Sequence, residues 1–172
     1  IVLPTYGRPG TLACAVQSVL HQTLSRWRLL VIGDGCGEET AAALAPFLAD
    51  PRIRYVNLPW RCGEQALPNS AGMACASTDR IAFLNHDDLW LPTHLEAACH
   101  QLDHTGADFF LGRSAWIWEA PASAGAPLAI ETISPLQQSF HQVFVSGFHG
   151  VEPVSAWVVT RALADKVGPW RR

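Results

Sequence analysis

The chain has 172 residues, 49% apolar and 16% charged, with a formal net charge of −3. That content is enough to bury a core, and it excludes a disordered charged tail, a collagen-like repeat and a small disulfide-stapled scaffold. The mild acidity, with a pI near 6.1, argues against a nonspecific binder of nucleic-acid backbones, so no nucleic-acid partner is expected.

Ile1-Val2-Leu3 is an apolar run stopped by Pro4 and reads as a first strand. From Thr11 to Gln22 the apolar positions Leu12, Ala15, Val16, Val19 and Leu20 recur at helical spacing. Leu29 to Ile32 is a second buried strand ending in Gly33-Asp34-Gly35, and Glu38 to Ala45 is an acidic-started helix stopped at Pro46. Ile53 to Leu58 is a third strand, residues 59–65 a loop, and Ala66 to Ala76 a short helix that tolerates Pro68 only in its first turn. Ile81 to Leu84 is a fourth strand, closed by Asn85-His86-Asp87-Asp88. Thr93-His94-Leu95-Glu96 has the form of a capping box and opens a helix with Leu95, Cys99 and Leu102 on one side. Asp108 to Leu111 starts a fifth strand that resumes through Ala115 to Trp118. Ala120 to Ala129 reads as a surface loop or lid, Leu136 to Phe144 as helical, Val154 to Val159 as a strand and Arg161 to Val167 as a short helix.

Four strand-then-helix units predict an α/β fold with a mostly parallel sheet and right-handed crossovers. No apolar run approaches the ~18 residues of a membrane helix. Cys14, Cys36, Cys62, Cys75 and Cys99 show no C-x-x-C pairing. They read as free, mostly buried thiols in a reducing compartment, so the expected location is cytoplasmic, including the cytoplasmic face of a membrane. The chain starts without Met and stops at Arg172, soon after Gly168-Pro169. It is expected to be a piece of a longer protein, with any membrane association outside it.

Ligands of open parallel sheets sit beyond the carboxyl ends of the strands. That rule gathers Pro4-Thr5-Tyr6, Asp34 and His86-Asp87-Asp88 along one edge. Asp87 and Asp88 repel each other unless a cation or donor compensates, and hard ions such as Mg²⁺ or Mn²⁺ take carboxylates together with substrate phosphates. The competing reading is a solvated Asp87 and an Asp88 that caps the next turn. Asp34 suits a nucleobase N–H or ribose hydroxyls, with a plain hairpin turn as the alternative. Asn85-His86 is a candidate metal ligand or phosphate contact, against the commoner reading of a lone His as structural or solvent-exposed. The absence of a G-x-G-x-x-G fingerprint, a P-loop and a G-x-S-x-G elbow counts against a dinucleotide oxidoreductase, a P-loop NTPase and an α/β-hydrolase. His100 and His104 share a helix face without an H-E-x-x-H pattern, which makes a zinc pair a poor reading. Trp60, Trp90, Trp116 and Trp118 read as core or interface residues, the last two placed where an acceptor sugar could stack.

Four segments in order resemble the family 2 glycosyltransferases. Pro4-Thr5-Tyr6-Gly7-Arg8-Pro9 resembles the family's opening, and Val31-Ile32-Gly33-Asp34-Gly35-Cys36 its "DDGS" segment. Ala66-Leu67-Pro68-Asn69-Ser70-Ala71-Gly72 resembles its "aRNxG" helix start, and Ile81 through Pro92 its "iaflDxDDxwlp" segment. Gly33, Cys36, Pro68 and Asn85 depart from those patterns. The resemblance implies a GT-A fold: residues 1–118 as the nucleotide-sugar-binding core and 119–172 as the incomplete start of an acceptor-side region. It implies transfer, with inversion, of a sugar from a nucleotide-sugar donor, expected to be UDP-linked, to a saccharide or lipid-linked acceptor. By matched position, Pro4, Thr5, Tyr6, Arg8, Asp34, Asn69, His86 and Asp87 would bind the donor, and Asp87 and Asp88 would hold Mn²⁺ or Mg²⁺. The catalytic base is expected beyond Arg172, with Glu152 as a weak internal candidate. The rival readings are a non-catalytic nucleotide-sugar-binding domain and a nucleotidyltransferase.

Overall fold

The computed structural model describes residues 1–119, 128–133 and 153–171. Strands β1 (Val2–Thr5), β2 (Leu29–Gly33) and β3 (Ile53–Asn57) form a parallel sheet in the order β1-β2-β3. Its register pairs Thr5 with Gly33 and Gly33 with Asn57, so the three carboxyl ends stop level. Helices α1 (Pro9–Leu20), α2 (Glu38–Leu44) and α3 (Ala66–Cys75) follow these strands in turn. Beyond β4 (Arg80–Ala82) the chain stays extended, and Phe83 bridges Val2 in parallel. The Leu84 N–H donates to the Val2 carbonyl at 3.0 Å, which seats this strand against the free side of β1.

The second half of the sheet is antiparallel. After α4 (His94–Thr105) come β5 (Phe109–Leu111) and a separate ribbon of β6 (Ala115–Glu119) with β7 (Leu128–Ile133). A 3₁₀ turn at Val154–Ala156 leads into β8 (Trp157–Thr160) and α5 (Arg161–Val167). β8 runs antiparallel between β4 and β5. From the 119–172 portion, β8 thus pairs with two strands of the first 118 residues, while β7 pairs with β6 in the separate ribbon. The stretch Ala115 to Trp118, expected to resume the fifth strand, is a separate strand paired with β7. Residues 120–127 and 134–152, which contain most of the expected lid and the expected helix at Leu136 to Phe144, lie outside the described residues.

Local chemistry explains most boundaries. α1 begins two residues before the predicted Thr11 because Pro9 suits a first helical turn, where its missing N–H is no loss. Leu12, Ala15, Val16 and Val19 are fully buried against Leu3, Leu29 and Val31 in the main core. α1 ends at Leu20, and the side chain of Gln22 ties its end to α4: Nε2 donates to the Leu91 carbonyl at 2.9 Å, and Oε1 accepts the Leu95 N–H at 3.0 Å.

The capping box at Thr93 does not form. Thr93 makes no side-chain cap, and Glu96 Oε2 instead accepts from the Thr23 hydroxyl at 2.7 Å. The buried side of α4 is Leu95, Ala98 and Leu102, with Cys99 half-buried at its margin. None of the five free thiols is fully buried; Cys14 and Cys75 are exposed. Trp90 belongs to the core, whereas Trp60 is 65% exposed and Trp116 47%. Among the described residues, no helix is long and apolar enough to cross a membrane.

Candidate functional site

A cleft of about 270 Å³ opens at the carboxyl ends of β1 and β2. Its walls are Pro4, Thr5, Tyr6 and Arg8 after β1, Asp34 after β2, residues 61, 63, 64, 65 and 68 before and within α3, and His86. The strand-end rule thus brings together the three segments that the sequence pointed to.

Asp34 organises one wall. Its side chain is 5% exposed, and its Oδ1 and Oδ2 accept the backbone N–H groups of Cys62 and Gly63 at 2.6 and 2.9 Å. Burial pushes this carboxyl up, but the two N–H bonds, with the Arg61 charge nearby, outweigh it and hold Asp34 below its ordinary range. Gly35 makes the approach possible. Its φ is +64°, and a Cβ there would lie 2.5 Å from the Arg61 nitrogen. The hairpin alternative for Asp34-Gly35 is not what forms, since the chain continues into α2.

Gly33, one of the departures from the family pattern, has its own steric cause. A Cβ there would meet Asn57 Oδ1 at 2.5 Å and the Tyr55 hydroxyl at 2.8 Å. Asn57 uses this room to pair with Cys36, accepting its N–H at 2.8 Å and donating to its carbonyl at 2.9 Å. A side chain from the end of β3 thus fills the space that an Asp at position 33 would need.

The opposite wall carries the charged pairs. Arg8 Nη1 donates to Asp87 Oδ2 at 2.7 Å, and both side chains are exposed. The Tyr6 N–H donates to His86 Nδ1 at 3.2 Å, which places the neutral imidazole's proton on Nε2. Burial lowers the His86 pKa, an effect that outweighs the attraction of the neighbouring Asp87. The guanidinium of Arg61 lies over the Tyr6 ring, 4.0 Å from its centre.

The adjacent carboxylates part company. Asp88 Oδ2 accepts from the Ser155 hydroxyl at 2.5 Å and from the Asn85 amide at 3.1 Å. Ser155 in turn accepts the Asn85 N–H at 2.8 Å, and its carbonyl accepts from the Trp90 indole at 2.6 Å. Asp88 fastens the strand end to the turn before β8, while Asp87 pairs with Arg8 of the cleft wall. Among the described residues, no three His, Cys, Asp or Glu side chains converge as a preformed metal site. The donor set fits a hard cation held by one carboxylate together with phosphate oxygens of a ligand, and does not fit a cation held by protein alone.

Asn69 is fully buried in the first turns of α3, and neither Oδ1 nor Nδ2 has a protein partner; Thr5 Oγ1 is likewise buried and unpaired. Gly72, one turn on, lies against β1, where a Cβ would come within 2.3 Å of a Val2 methyl. Glu152 lies outside the described residues. The sequence reading missed Arg61, Gly63, Glu64 and Gln65 as cleft walls. The loop carried no motif, and only the long-range bonds from Asp34 bring it to the site.

The profile of Glycosyl transferase family 2 matches residues 1–165. A curated relative from Escherichia coli, the UDP-Glc:alpha-D-GlcNAc-diphosphoundecaprenol beta-1,3-glucosyltransferase WfgD, is 31% identical over 112 residues. That alignment covers 65% of this chain and 44% of WfgD, so the chain spans less than half of that relative's length. Among solved structures, S. aureus TarS 1–349 superposes with a TM-score of 0.69 at 18% identity, covering 96% of this chain and 47% of TarS 1–349. The mannosyltransferase PcManGT of Pyrobaculum calidifontis, solved with GDP-Man and Mn²⁺, superposes at 0.58 with 17% identity, over 64% of this chain and 33% of its own. The fold is of the GT-A type, and the chain belongs to glycosyl transferase family 2.

Proposed function

We propose that this chain forms the donor-binding part of an inverting glycosyltransferase that moves a sugar from a UDP-linked donor to a saccharide or lipid-linked acceptor. One observation carries the reading: the cleft at the carboxyl ends of β1 and β2 gathers an aromatic ring, a buried carboxylate and Arg8, whose guanidinium pairs with Asp87, around one ligand-sized space. Family membership supports it, as do the UDP donor in the name of WfgD and a TarS 1–349 structure in complex with UDP.

In this reading Tyr6 supplies a stacking face for the base. Asp34 holds the 62–63 loop at the right height and offers its remaining lone pairs to an N–H of the base. Thr5, which lines the cleft, and Asn69, buried in α3, have unpaired polar atoms and would hydrogen-bond ribose or sugar hydroxyls. Asp87 is the side chain that would hold Mn²⁺ or Mg²⁺ with the diphosphate, and Asp88 positions its segment through Ser155. Such an ion supplies charge neutralisation for the departing nucleoside diphosphate. The neutral imidazole of His86 keeps the main chain of Tyr6 fixed beside it. Inverting transfer also needs a general base for the acceptor hydroxyl; Glu152 is the candidate within the chain.

The test is a binding screen of nucleotide-sugars, with Mn²⁺ and with EDTA, followed by assay of sugar transfer by the natural protein. The expected result is a preference for UDP-sugars that weakens in EDTA, with release of UDP on transfer. Affinity for UDP-sugars no greater than for unrelated anions would overturn the reading. Release of pyrophosphate would identify a nucleotidyltransferase.

A further inference from the structure

The charge balance at the cleft leaves a problem that Arg61 resolves. Among the described residues that line it, Arg8 and Arg61 are the cations, against Asp34 and Glu64 in the lining and Asp87 paired with Arg8. A diphosphate entering this setting meets more negative than positive charge. Arg8 is already engaged by Asp87 at 2.7 Å, so its charge is partly spent within the site. The first turn of α3, Ala66-Leu67-Pro68, brings no charged side chain, and Pro68 brings no N–H.

Arg61 is placed differently. Among the described residues no carboxylate forms an ion pair with it, and its guanidinium rests on the Tyr6 ring. Its main chain, by contrast, is pinned: Gly35 packs against the Arg61 nitrogen, and the next two N–H groups are bound to Asp34. A fixed Cα at the cleft wall, with a guanidinium held by a ring contact and a through-space attraction to Asp34 but, among the described residues, by no ion pair, is an arm that can swing without moving the loop. The ring it covers is, beside the His86 imidazole, the aromatic group among the described residues that line the cleft.

Resting on the nucleotide reading above, we propose that Arg61 is the mobile counter-charge for the donor diphosphate, parked on Tyr6 until a nucleobase takes that ring. Base entry displaces the guanidinium from the aromatic face, and the same long side chain then reaches the phosphates. Exchange of a cation–ring contact for a charge-assisted phosphate contact favours the diphosphate over the bare nucleoside. Arg61 is thus a specificity residue for the phosphorylated ligand and not a clamp on the base.

The probes are UDP and uridine, titrated calorimetrically into the unaltered protein, Arg61→Ala and Arg61→Lys. Arg61→Ala is expected to bind UDP about tenfold more weakly, the weight of one charge-assisted contact, and to bind uridine at least as well as the unaltered protein. Arg61→Lys is expected to keep most of the UDP affinity, since it retains the charge. Equal losses for UDP and uridine, unchanged UDP affinity in Arg61→Ala, or a lysine variant no better than alanine would each overturn the assignment. Failure of the unaltered protein to bind UDP overturns the nucleotide reading and this proposal with it, whereas the other adverse outcomes leave that reading standing.

Discussion

The two halves of the sheet do different work. In the parallel half, β1, β2 and β3 are each followed by a helix, and the core beneath them is closed: Leu3, Leu12, Val16, Leu29 and Val31 have no exposure. In the antiparallel half, β8 arrives from far along the chain to sit between β4 and β5, and an apolar groove of about 510 Å³ lies open beside Phe109, Trp157, Val159 and Trp170. The cleft lies at the join, where Phe83 bridges Val2 and Tyr6 meets His86. Rigidity comes from the closed half, and the second half contributes the Asp87 segment, anchored through Asp88 and Ser155.

That contrast predicts unequal costs of truncation. Leu3→Ala removes a fully buried side chain of the closed half and should cost about 3 kcal/mol in urea unfolding, whereas Val159→Ala beside the open groove should cost about 1 kcal/mol. Equal losses would show that the groove is covered in the native protein.

Asp34→Ala strands two N–H groups of the 62–63 loop and should cost about 2 kcal/mol, while weakening UDP binding more than tenfold. Asp34 sits below its ordinary pKa, so its stabilisation is complete above about pH 4 and is lost as pH falls through the lowered value. Asp34→Ala should therefore flatten stability against pH in that acid window, measured by thermal melts.

Ser155→Ala cuts the anchor of Asp88 at the join. We expect a loss of about 1.5 kcal/mol and only a few-fold change in UDP affinity, because Asp87 and Arg8 are untouched. A loss of UDP binding as large as in Asp34→Ala would mean that Asp88 touches ligand.

The smallest effect at neutral pH concerns His94, stacked on Trp90 at 4.6 Å with an unpaired buried Nε2. Burial lowers its pKa to about 4, below the unfolded value of about 6.5, so the unfolded chain binds the proton first. Stability then falls as pH drops below about 6.5 and levels off below the folded pKa. His94→Phe should remove up to about 2 kcal/mol of that decline at pH 5, read from melts at pH 5 and pH 7.5.

The parallel half was legible because its information is local: an apolar run, a turn and a helical stripe, repeated three times. The strand-end rule then located Tyr6, Asp34 and His86 without reference to the fold's later strands. What escaped the sequence was long-range. Nothing near Trp157 says that β8 inserts between β4 and β5, and nothing near Arg61 says that Asp34 will seize the next two N–H groups. The Thr93–Glu96 capping box failed for the same reason, because Thr23 offers Glu96 a hydroxyl from another part of the chain. Asp87 and Asp88 look alike in sequence, and partners distant along the chain, Arg8 for the first and Ser155 for the second, separate their roles.

The central claim is that the cleft at the join binds a nucleoside diphosphate with a divalent ion at Asp87. At 18.7 kDa the chain suits amide NMR, and Mn²⁺ broadens signals close to it. With UDP present, substoichiometric Mn²⁺ should broaden the amides of residues 6–8 and 86–88 most strongly, and Asp87→Ala should abolish the effect. Broadening that is the same without UDP, or that centres on the apolar groove around Trp157 and Trp170, would contradict the account.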